Sequence, residues 1–582
     1  MSSASAKGPV GGKQAVARGT GGAVSSVDLN ASRIGLRVLR SGGTAADAAV
    51  ATAAALGVTE PYSAGIGGGG YFVHYNARTG AVQTLDGRET APAGITKNAF
   101  IDDETGEPYT FFPDLVTSGV SVGVPGTLAT WKAALARWGH TNLSTALAPA
   151  EALARHGFRV DKTFHRQTKE NAERFAAFPS TSRLYLPGGQ PRPIGDIQRN
   201  PDLADTYALL RTRGTGPFYR GNIAGEIAET VQHPPARANT DLPIPRGSMT
   251  RADIANYRVI GRAPTHVRYH DLDVYGMPPS SSGGITVGES LNILDDFQLN
   301  QAEHVRGLHL YLEATARAFA DRSAYIGDPK FVDVPTRRLT SQSFADARAC
   351  TIDPEQAAPK PVAAGGLHTA PMCGRAPTGD NAVDTEGLST THLSVVDRWG
   401  NAVSYTLTIE QTGGSGIVVP GRGFLLNNEL TDFTAVYDKD DPNRIQPNKR
   451  PRSSMSPTIV LSGGHLKYVL GSPGGSTIIT TVLQVLLNRT DFGMTLPEAV
   501  RAPRASQRNT ADVTAEQPFI DRYQGALSPY GHTFVPAGAP GTSAAEIGAV
   551  AAIEVGPGGQ LIAVAEPVRR GGGDAEVVSP AG

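Results

Sequence analysis

The clearest alternation of apolar and polar positions in the chain runs over residues 392–396, breaks at Asp397-Arg398-Trp399-Gly400-Asn401, and resumes over residues 402–409. Period-two spacing on both sides of a tight turn predicts a β-hairpin. Similar runs predict strands over 458–461 and 465–470, and a closing hairpin over 549–565 that turns at Pro557-Gly558-Gly559. Shorter strands are predicted over 24–27, around 265–275 and over 423–426. Helical spacing instead marks 28–40, 45–56, 308–325 and 477–487. Thr44, followed three residues on by Asp47, predicts a capped start for the second of these helices, and Gly57 predicts its stop. The loop 278–284 feeds a helix near Thr286, with Ser280, Ser281 and Ser282 as its expected caps. Residues 1–22 and 571–582 are Gly-rich and read as flexible tails. Residues 359–389 hold several prolines and few apolar positions, so they read as a linker.

Composition narrows this picture. The chain has 582 residues, a formal net charge of −1, 40% hydrophobic and 18% charged residues. That is enough chain for more than one structural unit, and it lacks the strong field expected of a nucleic-acid or membrane-surface binder. No apolar run reaches the roughly 18 residues needed to span a bilayer. Residues 1–22 lack an apolar signal core, which favours a cytoplasmic location over a secreted one. The two cysteines, Cys350 and Cys373, show no metal-ligand spacing, and their spacing leaves open whether they pair. Neither a metal site nor a cofactor is implied, and no Gly-x-Ser-x-Gly elbow is present.

Candidate chemistry concentrates around the first hairpin. Thr390 and Thr391 stand where the linker meets the strand. A cut before Thr390 would place a hydroxyl nucleophile and an α-amine base on one residue, with an amine pKa of roughly 7.7–8.0 suited to the task. Threonines also simply favour strand starts. Gly474 and Gly475 lie between a predicted strand and a predicted helix. Their N–H groups could hold an oxyanion, or they could form a plain turn. Arg88 follows a strand-like stretch and could grip a carboxylate or pair with Asp86 or Glu89. The four glycines 67–70 require close backbone approach or a positive φ. No Gly-Lys-Ser/Thr follows them, which argues against a phosphate loop.

Taken in order, residues 42–49, 67–72, 86–92, 277–284, 390–401, 425–433, 449–457 and 471–476 resemble the γ-glutamyltransferase (γ-glutamyltranspeptidase) family of N-terminal-nucleophile hydrolases. The resemblance implies an α/β (α+β) chain folded as a four-layer αββα sandwich. It implies self-cleavage between Ser389 and Thr390 into a large subunit (23–389, after the 1–22 tail) and a small one (390–582), which remain together as a heterodimer. Thr390 is then the nucleophile, Thr408 orients it, and Gly474 and Gly475 hold the oxyanion. Arg88, Ser453 and Ser454 match groups that bind a donor's α-carboxylate, and Glu429 and Asp432 match groups that bind its α-amine. Glu410 stands where many members carry asparagine. It could place a third carboxylate at the ammonium, point away, or indicate a different donor. Residues 434–446 look shorter than the lid loop of many relatives, so an open site is expected. The implied partners are a glutathione-like donor and an amino acid, peptide or water as acceptor. The alternatives are the same nucleophile acting on another substrate, as a C–C bond hydrolase or β-lactam acylase, and an inactive scaffold. The intact Thr390, Thr408, Gly474 and Gly475 argue against the scaffold.

Overall fold

The computed structural model describes residues 12–368, 373–374, 376–379, 389–539 and 544–581. Thirteen strands form its frame: β1 (Val16–Ser26), β2 (Gly69–Asn76), β3 (Ala81–Asp86), β4 (Ile260–Arg262), β5 (Thr265–Tyr269), β6 (Leu272–Gly276), β7 (Thr390–Asp397), β8 (Ala402–Thr408), β9 (Thr458–Ser462), β10 (His465–Gly471), β11 (Ala551–Val555), β12 (Leu561–Ala565) and β13 (Asp574–Pro580). Their order is β4-β3-β2-β8-β7-β1-β12-β11-β10-β9-β6-β5, with β13 also paired to β1. The sheet doubles over at β1, so β7 and β8 face β10 and β11. Hydroxyls span the gap: Ser394 Oγ donates to Ala551 O at 3.0 Å, and Ser404 Oγ donates to Leu470 O at 2.9 Å.

Helices cover both outer faces. α1 (Leu29–Arg40) packs on α2 (Ala45–Thr59), and α2 lies on β7 and β8. On the other side, α3 (Gly283–Asp295) lies on β5 and β6, α4 (His304–Tyr325) backs α3, and α5 (Thr477–Thr490) lies on β10. These are the four layers the resemblance implied. All of α2 is buried, which suits an alanine-rich helix with no polar face to present to water. Its capping box between Thr44 and Asp47 is present as expected.

Several sequence expectations shift. The strand expected over 24–27 begins at Val16, inside the stretch read as a tail, and it joins the two halves of the sheet. Its glycines are required by contact: a Cβ on Gly19 would lie 2.1 Å from Ser579 O. The other expected tail contributes β13, which pairs with β1. Gly57 does not end α2, because its missing side chain makes room for Gly65 and Tyr207 while the helix runs on to Thr59. The strand expected over 423–426 reduces to one bridge between Val418 and Leu425. The N-cap of α3, Ser282, makes no side-chain cap bond, and of the three expected caps only Ser281 Oγ takes a helix N–H, that of Gly283. Ser282 Oγ donates to Ser453 O and Ser281 Oγ to Met455 O, each at 2.7 Å, so they tether the loop carrying Ser453. Cys350 and Cys373 form a disulfide. Part of the linker is ordered as well, since Ala363 N donates to Pro377 O and Val362 N to Asn509 Oδ1.

Candidate active site

Alternation along β7 turns Thr390 and Thr391 to opposite faces. Thr391 is fully buried, and its hydroxyl has no hydrogen-bond partner among the described residues. Thr390 lines a small cavity together with Thr408, the residue directly across the hairpin from it. The Thr408 hydroxyl is the hub of this end. It accepts from Thr390 Oγ1 at 3.2 Å and from Glu410 N at 2.8 Å, and it donates to Ser389 O at 2.9 Å. One hydroxyl has one proton and two lone pairs, so this set saturates it. Its single donated bond therefore falls on the carbonyl just before Thr390. Upstream, Ser389 Oγ is held by Ser63 Oγ and Tyr62 O, and Ser389 N donates to Glu410 O. Downstream, Arg570 Nη1 donates to Thr390 O at 2.6 Å.

The cavity is also lined by Arg88, Glu410, Glu429, Asp432, Ser453, Met455, Gly475 and Ile478. Its free volume is about 10 Å³, room for a single water. The charged side chains fill it. Arg88 Nη1 pairs with Glu429 and Nη2 with Asp432, while Nε and Nη2 also donate to Pro451 O and Arg452 O. Burial opposes the Arg88 charge, yet Asp432 and the other anionic neighbours outweigh it and raise the guanidinium pKa further. The cationic and anionic clamps are thus in direct contact. That spacing fits an amino-acid head, whose carboxylate and ammonium leave the same carbon.

The other sequence-derived residues divide. Ser453 lines the cavity, whereas Ser454 does not, and Ser454 Oγ accepts from Arg322 Nη2 at 2.9 Å. Glu410 does stand beside Glu429 and Asp432, but its Oε2 is held by Asn428 Nδ2. Glu410 sits at φ 79°, a strained conformation for a non-glycine residue just past the end of β8. Gly475 lines the cavity and Gly474 precedes it. Neither N–H donates to a group among the described residues, and both precede α5, whose N-terminus favours negative charge. Gly474 at φ 135° and Gly475 at φ 57° hold a turn that a side chain would strain. Residues 434–446 form a short closed loop, with Thr434 bridged to Arg444.

Two residues carried no local sequence signal. Arg570 reaches Thr390 O from a distant segment, and Arg322 reaches Ser454 behind the cavity. His392 is two residues from Thr390 and could pass for its base. Burial pushes its pKa down to about 3, and its ring nitrogens are engaged by Thr406 and Ser394 hydroxyls, so it is structural. Beside Arg88, the fully buried Glu89 is pushed up to about 8 by burial and is neutral at pH 7.

A threonine heading a strand between two facing sheets, under two helix layers, is the arrangement of an N-terminal-nucleophile hydrolase. The Gamma-glutamyltranspeptidase family profile matches residues 31–576. The chain is 38% identical to the glutathione hydrolase proenzyme of Bacillus subtilis (strain 168), covering 95% of this chain and 91% of that one. It is 36% identical to the glutathione hydrolase proenzyme of Escherichia coli (strain K12), covering 94% and 90%. Among solved structures, cephalosporin acylase from Bacillus halodurans superposes with a TM-score of 0.82 at 27% identity, covering 98% of each chain. The chain belongs to the gamma-glutamyltranspeptidase family.

Proposed function

We propose that this chain cuts itself before Thr390 and then hydrolyses or transfers the γ-glutamyl group of glutathione-like donors. The observation that carries the reading is the Thr408 hydroxyl placed between Thr390 Oγ1 and the Ser389 carbonyl, beside the Arg88–Glu429–Asp432 group. In self-cleavage, Thr390 Oγ1 bonds to the Ser389 carbonyl carbon while Thr408 Oγ1–H polarises the oxygen. The C–N bond breaks, and the departing nitrogen takes a proton to become the Thr390 α-amine. Water then opens the ester, leaving a carboxylate on Ser389 and a free hydroxyl on Thr390. The two products are residues up to 389 and residues from 390 on, held together by the shared sheet.

In turnover, Thr390 Oγ1 attacks the donor's γ-carbonyl, and the α-amine takes the hydroxyl proton. The N–H groups of Gly474 and Gly475 receive the developing oxyanion. Arg88 with Ser453 holds the α-carboxylate, and Glu429 with Asp432 holds the α-ammonium. Water or an acceptor amine releases the acyl group. The test is incubation of the processed protein with a γ-glutamyl anilide, with and without glycylglycine. Anilide release that depends on Thr390 supports the reading, and no release from fully cut protein overturns it. The likeness to a cephalosporin acylase motivates a second reading, in which the same threonine cleaves a β-lactam side-chain amide. Turnover of a glutaryl-cephalosporin but not of the anilide would favour it.

A further inference from the structure

The β7–β8 hairpin has a second end. Thr390 and Thr408 pair at one end, and the turn lies seven residues along the strand, about 23 Å away. There His74, Arg78, Arg137, Trp138, His140 and Trp399 stand among the residues lining a cleft of about 590 Å³. That volume is within the range of small-molecule sites. The described surroundings of the active site do not touch it, and nothing in the chemistry above uses it.

The walls of the cleft are aromatic. Trp138, the last residue of helix Thr127–Trp138, stacks face to face on His74 at 4.4 Å with 2° between planes, and on Phe72 at 5.7 Å. Its Nε1 donates to Gln83, which fixes the ring. Beneath it, His74 Nδ1 is buried without a hydrogen-bond partner among the described residues. Trp399, which lines the same cleft, stands 43% exposed in the hairpin turn, with His140 edge-on at 5.5 Å and Arg398 over its ring at 4.4 Å. The chain has only three tryptophans, and two of them line this cleft.

The rim is cationic. Arg78, Arg137 and Arg398 are exposed, and none forms an ion pair with a carboxylate among the described residues. The nearby acids form no direct ion pair with them. Asp47 and Asp397 are buried, and their oxygens are occupied by backbone donors at Thr44, His140 and Thr141 and at Ala45, Trp399 and Asn401. Three rim arginines without an ion pair thus gather here against two buried carboxylates, in a chain whose net charge is −1. Flat apolar walls and a cationic rim call for a flat apolar body with an anionic edge.

We propose that this cleft is a binding site, separate from the active site, for a planar aromatic carboxylate. Its ring lies against Trp138 and Trp399, and its carboxylate takes Arg78 and Arg137. The probe is 2-naphthoate, titrated into the full-length processed protein and followed by calorimetry and by tryptophan fluorescence. Trp131 is fully buried, so quenching reports on Trp138 and Trp399. Saturable binding is expected, with affinity falling at least about tenfold for 2-naphthamide, for Trp399→Ala and for the double variant Arg78→Ala/Arg137→Ala. Both variants change exposed side chains outside the catalytic machinery, so anilide turnover without the probe stays at the wild-type level. The proposal is overturned by no saturable signal up to about 5 mM probe, by equal affinity for the acid and the amide, or by unchanged affinity in both variants.

Discussion

Replacing Thr408 with valine removes one hydroxyl and keeps the side-chain shape, so the effect can be worked from its three bonds. The Glu410 N–H, 2.8 Å from that hydroxyl, is left buried without an acceptor, which destabilises the fold by about 1–3 kcal/mol. The bond to Ser389 O at 2.9 Å is the one that counts for cleavage. It polarises the carbonyl that Thr390 attacks, in the manner of an oxyanion-hole donor. Loss of one such donor slows a reaction by about 10²–10³, or about 2.7–4 kcal/mol of barrier. The assay is a time course of freshly purified precursor on a denaturing gel. Wild type resolves into bands of 389 and 193 residues, the latter being 582 less 389. Thr408→Val stays as one band for two to three decades longer, while Thr408→Ser, which keeps the hydroxyl, is cut at close to the wild-type rate. Cleavage of the valine variant at the wild-type rate would refute the role given to Thr408.

Other consequences follow from the same geometry. Arg88→Lys keeps the charge and loses the two-pronged geometry that meets Glu429 and Asp432. KM for a γ-glutamyl anilide is expected to rise by about tenfold or more with a smaller change in kcat, read by steady-state kinetics. Gly474→Ala sets a Cβ 2.7 Å from Thr477 Oγ1 at a φ of 135°, so kcat should fall while the precursor is still cut. Equal kcat would remove Gly474 from the site. Glu89 has a folded pKa raised from its ordinary value to about 8, so the folded state holds its proton more tightly than the unfolded one. Its stabilisation is complete below the ordinary carboxylate pKa and is lost as pH rises to about 8, a change of order 3–5 kcal/mol. Wild-type melting temperature should fall across that window, and Glu89→Gln should flatten the fall. Parallel curves would contradict the assignment.

The hairpin that carries the site was legible because period-two alternation and a tight turn are local signals. Thr44 and Asp47 announced the start of α2 for the same reason. What stayed hidden was settled by distant contact. The first half of β1 and all of β13 read as tails because glycine looks flexible in isolation, yet Gly19 is glycine because Ser579 O lies where a side chain would stand. Gly57 read as a helix stop and is instead a packing requirement. At the site, the resemblance named Arg88, Glu429 and Asp432, but nothing in their spacing shows that they close on one another and fill the cavity. Arg570 on Thr390 O and Arg322 on Ser454 are separated from their partners by 180 and 132 residues, beyond the reach of any local pattern. Ser454 looked equivalent to Ser453 for that reason, and only Ser453 lines the cavity.

Self-processing makes Thr390 a chain terminus. Mass spectrometry of the purified, matured protein tests this directly. The expected result is a small fragment whose first residue is Thr390, absent from Thr390→Ala. A catalytically active protein that remains one intact chain, or a fragment beginning at any other residue, would contradict it.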